Sequence, residues 1–324
     1  MKDGYAYSLD QCDVLDKKSL DQFRAKRRVW LSWLETDEHH AIWSTIHSLV
    51  WTDVAFRSLT GFAATDEPTA LHNRLIAEAL IDGYFATQIL AIRRLVDGGN
   101  NDIISLRRLL KDIKRHAHLL TRENYVCHDG LPYDHDTVQH DEMHRHLAAG
   151  GGVFWGATIG PGAWATSQLA HEQFDKLSGI PADRRQRNDL LPASLLRTIE
   201  AWLNESGASD LEQWSHRYLA HAGGPESRKQ LADIQVTTNR ISDTIKSLAR
   251  VTEALSAYVL WASGRSHALM PTAQFAPFEG LEEPVMVLSR QESAQQLWER
   301  LSSERDTYLE GVREELVSRT KNAG

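Results

Sequence analysis

Residues 102–120 read DIISLRRLLKDIKRHAHLL. Ile103, Leu106, Leu110, Ile113 and Ala117 recur at spacings of three and four, the period of a helix that buries one stripe. Arg107, Lys111, Lys114, Arg115 and His118 fall on a separate face, within about 100° of one another at 3.6 residues per turn. The expected helix therefore carries an apolar stripe and a cationic stripe. From Asp102 to Arg122 the basic residues Arg107, Arg108, Lys111, Lys114, Arg115 and Arg122 stand against Asp102 and Asp112 alone. Such a face is either merely solvated or a surface that tracks phosphates. In the second case Arg107, Lys111, Lys114 and Arg115 are the residues that hold the backbone of RNA.

The helical period extends outward from this element in both directions. Upstream, a first helix is expected to open at Ser19, with Gln22 completing a capping box. A second helix is expected from about Glu38 to Leu59. A third starts near Pro68, runs to about Val96, and is ended by Gly98, Gly99 and Asn100. Downstream, Glu123 to Asp134 reads as a loop, and Asp136 to Ala148 as a short helix. After an irregular Gly-rich stretch the expected helices are Trp164 to Leu177, Pro192 to Asn204, Ser209 to His221, Glu226 to about Ala262, and Gln291 to Ser318. Strand-like alternation is almost absent, so the fold class is all-α.

The 324 residues include 42% hydrophobic side chains, enough for one large helical domain or two ordinary ones. The net charge of -8 argues against indiscriminate binding to nucleic acid but leaves room for a local basic patch. Ten Trp spread along the chain suit core positions better than one binding platform. Cys12 and Cys127 are the only cysteines. They build no disulfide framework and no Cys-type zinc site, which fits a reducing compartment and a cytoplasmic protein. Met1 to Asp10 lack the apolar core of a signal peptide, and no window approaches a membrane helix.

The segment His216-Arg217-Tyr218-Leu219-Ala220-His221 is the first candidate for chemistry. Arg217 and His221, four apart, share one face of a helix. A guanidinium can grip a phosphate bidentately, and an imidazole can accept a proton from a ribose 2′-hydroxyl or protonate the leaving oxygen. Together they suffice for metal-free cleavage of RNA. On residue types alone the alternative is that His221 bonds a helix-end carbonyl before Gly223 while Arg217 is solvated.

Three stretches in order, Ala91-Ile92-Arg93-Arg94-Leu95-Val96-Asp97, Ile104-Ser105-Leu106-Arg107-Arg108-Leu109-Leu110 and Arg217-Tyr218-Leu219-Ala220-His221-Ala222, resemble HEPN-type proteins over roughly residues 40 to 262. The closest likeness is to the abortive-infection U-type branch, found in bacterial defence and toxin–antitoxin loci. The resemblance implies a HEPN-like bundle of long antiparallel helices with flanking helices. It also implies a homodimer, action on RNA, and a partner from a neighbouring gene. Active members carry an Arg followed, at a slightly longer interval than here, by His. Aligned on His221, the family's Arg position falls on His216, Ser215 or Trp214, so a neighbouring Arg217 would have to substitute. Organisation is expected as an N-terminal helical region (1–149) with the basic-stripe helix, a Gly-rich linker (150–163), the C-terminal part of the bundle (164–264), and a loop with a charged C-terminal helix (265–324).

A second constellation is His-rich. His140 and His144 lie one helical turn apart, the spacing in which a helix offers two metal ligands, and Asp136 sits one turn earlier. They are the weak metal candidates of a third reading, a metal-dependent hydrolase; the main reading needs no cofactor. The Gly150–Gly162 stretch matches neither a P-loop nor a dinucleotide fingerprint. Cys127 beside His128 reads as a buried, inert thiol. The expected functions are thus an RNA-acting HEPN-like protein and metal-free endoribonuclease, a non-catalytic helical module that binds RNA or protein, or that hydrolase.

Overall fold

Asp16, rather than Ser19, opens the first helix. Its carboxylate accepts the Ser19 backbone N–H at 2.9 Å, satisfying one of the orphan donors of a helix start. The structure, a computed structural model, describes residues 4–64, 70–72, 74–98, 102–153, 156–220, 234–262, 264, 269–277, 279 and 291–322. Helix α1 (Lys17–Leu31) ends in a π turn over Ser32–Thr36, and α2 (Ile42–Ala63) and α3 (Arg74–Val96) follow. Pro68, Gly99 and Asn100 lie outside the described residues. Helix α4 (Leu106–Arg115) is shorter than the 102–120 expected, because Ser105 caps it and a 3-10 turn over Ala117–Leu119 takes up its end.

The segment read as a loop contains α5 (Arg122–Cys127), capped by Thr121 and buried throughout. Its six residues are too few to show a helical period, which is why the sequence hid it. Then come α6 (His135–Ala148), α7 (Trp164–Ser178), α8 (Ala193–Glu205) and α9 (Ala208–Ser215). Gly207, at φ +78°, supplies the left-handed residue that precedes α9, in place of the expected Ser209 cap. The long helix expected from Glu226 is described only as α10 (Thr238–Glu253), started by the Thr237 hydroxyl, followed by a π turn over Ala254–Val259. The described residues 234–237 are not helical, and 221–233 lie outside the described residues. The single C-terminal helix is in fact two, α11 (Gln291–Asp306) and α12 (Val312–Asn322), broken at Gly311 with φ +67°.

The fold is an all-α bundle. Among the described residues no β-strand forms; Thr121 and Leu190 make an isolated bridge. Helix α10 lies at the centre, packed on α2 and α8, with Ile241, Ile245, Leu248 and Val251 buried. One apolar cluster runs from Trp30 and Trp43 through Ile113 and Phe174 to Leu248 and Leu316, drawing on elements before and after the Gly-rich stretch. Burial of this much apolar surface is the main stabilising term. Among the described residues no helix is long and apolar enough to cross a membrane.

Two polar nodes are built into this core. In the first, Asp53 of α2 accepts from Tyr84 Oη (2.6 Å), Ser242 Oγ (2.6 Å), Arg57 Nε (3.1 Å) and Arg305 Nη2 (2.5 Å). Asp53 and Arg305 are both about 1% exposed, so α11 is tied to α2 and α10 by a fully desolvated ion pair. In the second, Arg122 donates to Asp175 (2.6 Å) and Asp189 (2.8 Å), and Arg185 also grips Asp175. His171 lies at this node with its Nε2 3.0 Å from the Tyr133 carbonyl, so Nε2 carries the proton and donates.

Burial, reinforced by the Arg185 and Arg122 charges, pushes the His171 imidazole down to about 4, although its bond to Tyr133 opposes this. The unfolded chain then binds a proton that the folded chain refuses between that value and the ordinary histidine range. Stability is present above the ordinary range and falls by up to about 3 kcal/mol as pH drops toward 4. Urea midpoints measured from about pH 7 to pH 4.5 should decline more steeply in the parent than in His171→Leu. Equal slopes would contradict this assignment.

Candidate functional site

Helix α4 is positioned at both ends and along its buried face. Ser105 Oγ accepts the Arg108 N–H at 3.1 Å and donates to the Asp97 carbonyl at 2.6 Å. Leu106, Leu109, Leu110 and Ile113 are buried, against α8 and α3 among others. The cationic stripe is thereby turned outward. Its members divide into two kinds. Arg107 donates to Ser209 Oγ at 2.7 Å and lies 3.9 Å from Glu212, and Lys114 donates to Glu200 at 2.7 Å. Lys111 and Arg115 are exposed, and no carboxylate pairs with either among the described residues.

Arg108, which the helical stripe does not include, lines two clefts, as does Lys111. One, of 490 Å³, is lined by Arg107, Arg108, Lys111, Lys114 and Glu200 together with Gly98 and residues of α8. The other, of 390 Å³, lies between α1 and α4 and is lined by Lys26, Val29, Trp33, Arg108, Lys111, Asp112 and Arg115. The Arg108 guanidinium lies 4.3 Å over the Trp33 ring and donates to the Ile103 carbonyl at 2.6 Å. Asp112 is drawn out of the surface electrostatics. Burial raises its carboxyl, but bonds from Trp30 and Lys26 and the nearby His116 outweigh this and hold it below the ordinary range. Trp30 Nε1 donates to it at 2.8 Å and Lys26 at 3.1 Å.

The Arg217 segment adjoins the same surface. Helix α9 packs on α3 and continues into a π turn over His216–Ala220. Trp214 stacks on Tyr218 at 4.7 Å and fixes the start of this turn. Arg217 is half-buried, and His221 lies outside the described residues. Glu212, one turn before His216, faces Arg107. Burial raises its carboxyl above the ordinary range; Arg107 opposes this, Asp97 adds to it, and Arg93 and His216 pull it back. Arg107 of α4 thus lies beside this half-buried carboxyl, within the field of basic groups on α3 and the α9 turn. This junction left no local signal in the chain, nor did the parts of Lys26 and Trp33, since each depends on helices distant in the chain.

The His-rich segment does not converge. His128 is buried, its Nδ1 3.0 Å from the Tyr125 carbonyl, and burial drives its pKa well down, helped by Arg27. His135 contacts Arg185 and Asp136. His140 and His144 bring their Nε2 atoms to 3.0 Å on the exposed face of α6, but Asp136 pairs with His135 instead. Among the described residues no group of three His, Cys, Asp or Glu side chains is placed to hold a metal ion. Cys127 is buried, and burial pushes its thiol well above the ordinary range, with Asp13 adding to the shift, so it is no thiolate nucleophile.

An all-α bundle whose cationic helix abuts an Arg-bearing helix turn fits the HEPN class. The segment 47–271 matches the family model HEPN_AbiU2, described as AbiU2, over more than half of the chain. The protein belongs to the AbiU2 HEPN family, the abortive-infection U-type branch. No curated protein matches it, and no solved structure does. The match contains α4 and the Arg217 segment; α1, with Lys26, and the π turn with Trp33 precede it, and α11, with Arg305, follows it.

Proposed function

We propose that this HEPN protein serves bacterial defence in the cytoplasm by acting on RNA, which it holds along α4 beside the turn that carries Arg217. The observation that carries this reading is the contact of Arg107 with Ser209 and Glu212 of α9. It places the start of the cationic stripe against the helix that leads into the Arg217 segment. A backbone held by Lys111, Lys114 and Arg115 would then run toward Arg217 and His221. There Arg217 would grip the phosphate while His221 takes the 2′-hydroxyl proton; the 2′ oxygen would attack the phosphorus, the bond to the 5′ oxygen would break, and that leaving oxygen would take a proton from water, chemistry that requires no metal.

Incubating the protein with total RNA and tRNA in EDTA, beside His221→Ala, tests the catalytic half. Cleavage by the parent alone is the expected result; equal cleavage by both would remove His221 from the chemistry. The short interval between Arg217 and His221 favours a second reading, a module that binds RNA or a neighbouring gene's product without cutting. Neither protein then cleaves. A homodimer suits both readings. Ile76, Leu80, Gly83, Thr87 and Leu90 share one face of α3, on which Ile76 and Leu90 are exposed and Gly83 meets open space.

A further inference from the structure

The cleft between α1 and α4 has a composition that a plain phosphate track does not need. Its lining carries an aromatic ring with a guanidinium over it, Arg108 lying 4.3 Å from the centroid of the Trp33 ring. The Arg108 guanidinium is held a second time by its bond to the Ile103 carbonyl. Lys26 is engaged by Asp112, so these two cancel, and Arg108, Lys111 and Arg115 remain as the uncompensated cations of the cleft. A volume of 390 Å³ lies in the range of small-ligand sites, which begins at about 300 Å³.

From this geometry we infer that the cleft is a site for one unpaired nucleotide. Its base stacks on the outer face of the Arg108 guanidinium, and its phosphates are taken by Lys111 and Arg115. A guanidinium plane supported by an aromatic ring is a stacking platform open to any base, because every base has a π face. A base inside a duplex has no free face, so the cleft selects single-stranded RNA. The inference rests on the reading that α4 meets RNA, and it adds the substrate class. Lys26 of α1 and Trp33 of the π turn that follows it lie before the family-matched segment, so the platform is assembled from inside and outside that segment.

The test uses the full chain and three probes: a short oligoadenylate, a mixed-sequence RNA duplex, and adenosine monophosphate. Arg108→Lys keeps the charge and loses the plane. It should weaken oligoadenylate binding on the order of tenfold and leave duplex binding unchanged. Trp33→Leu should behave like Arg108→Lys, whereas Trp33→Phe keeps a ring beneath the guanidinium and should restore parental affinity. Equal loss for oligoadenylate and duplex, or no loss for either, would overturn the inference. Binding of adenosine monophosphate that depends on Arg108, without affinity for either RNA, would uphold the nucleotide site and remove the RNA reading. Circular dichroism identical to the parent's establishes that each variant is folded.

Discussion

Asp53→Ala is expected to lower folding stability by about 3–5 kcal/mol, the range found when one partner of a buried ion pair is removed. The carboxylate receives bonds from Tyr84, Ser242, Arg57 and Arg305, and Arg305 is itself fully buried. Deleting Asp53 would strand the Arg305 charge and leave the Tyr84 hydroxyl without its acceptor, each away from water. The loss should appear as a lower urea midpoint with an unchanged slope. Replacing Asp53 and Arg305 together by leucine should cost less than either change alone, because the fully buried Arg305 charge is gone and only the partly exposed Arg57 loses its carboxylate. Burial raises the Asp53 carboxyl, yet bonds from Ser242, Tyr84 and Arg305 bring it below the ordinary range. Its contribution is therefore complete above the ordinary carboxylate range and is lost as pH falls through the lowered value. A cost of less than about 1 kcal/mol for Asp53→Ala would mean that α11 is not held by this node.

The largest expected effect on function is that of Lys111→Glu with Arg115→Glu. These two cations are exposed and have no carboxylate partner among the described residues, so an RNA backbone need displace nothing to reach them. Arg107 and Lys114 must first leave Ser209 and Glu200. Each phosphate contact to a single strand contributes about 0.7 to the slope of log affinity against log salt, so loss of two should flatten that slope by about 1.4. Affinity at low salt should fall by more than about tenfold, since reversal adds repulsion to the lost attraction. Arg107→Ala should weaken binding less. An unaltered slope in the double variant would show that α4 is not the RNA surface.

Much of this arrangement was legible in the chain. Leu106, Leu110 and Ile113 proved to be buried, and their period implied that Lys111 and Arg115 face outward. The all-α class and the family followed from period and resemblance together. Local signals failed where the deciding interaction was tertiary or very short. Helix α5 has too few residues for periodicity, and Gly311 broke a charged run that otherwise reads as continuous. Ser19 looked like a cap because it precedes Gln22, whereas Asp16 makes the bond. For the candidate site, the cationic face was readable but its neighbours were not. Trp33 comes under Arg108, and Ser209 and Glu212 come to Arg107, through helix packing that no spacing rule reveals. Asp136 shares the spacing of His140 and His144, yet His135 beside it takes its carboxylate.

The most direct test of the account is photocrosslinking of the full protein, in EDTA, to single-stranded RNA that carries 4-thiouridine, with the linked peptides identified by mass spectrometry. Crosslinks are expected in the peptides of α4, around Arg107 to Arg115, and in those spanning Trp214 to His221, and they should fade in the Lys111→Glu, Arg115→Glu variant. Crosslinks confined to other helices, or unaffected by that variant, would contradict the placement of RNA along α4.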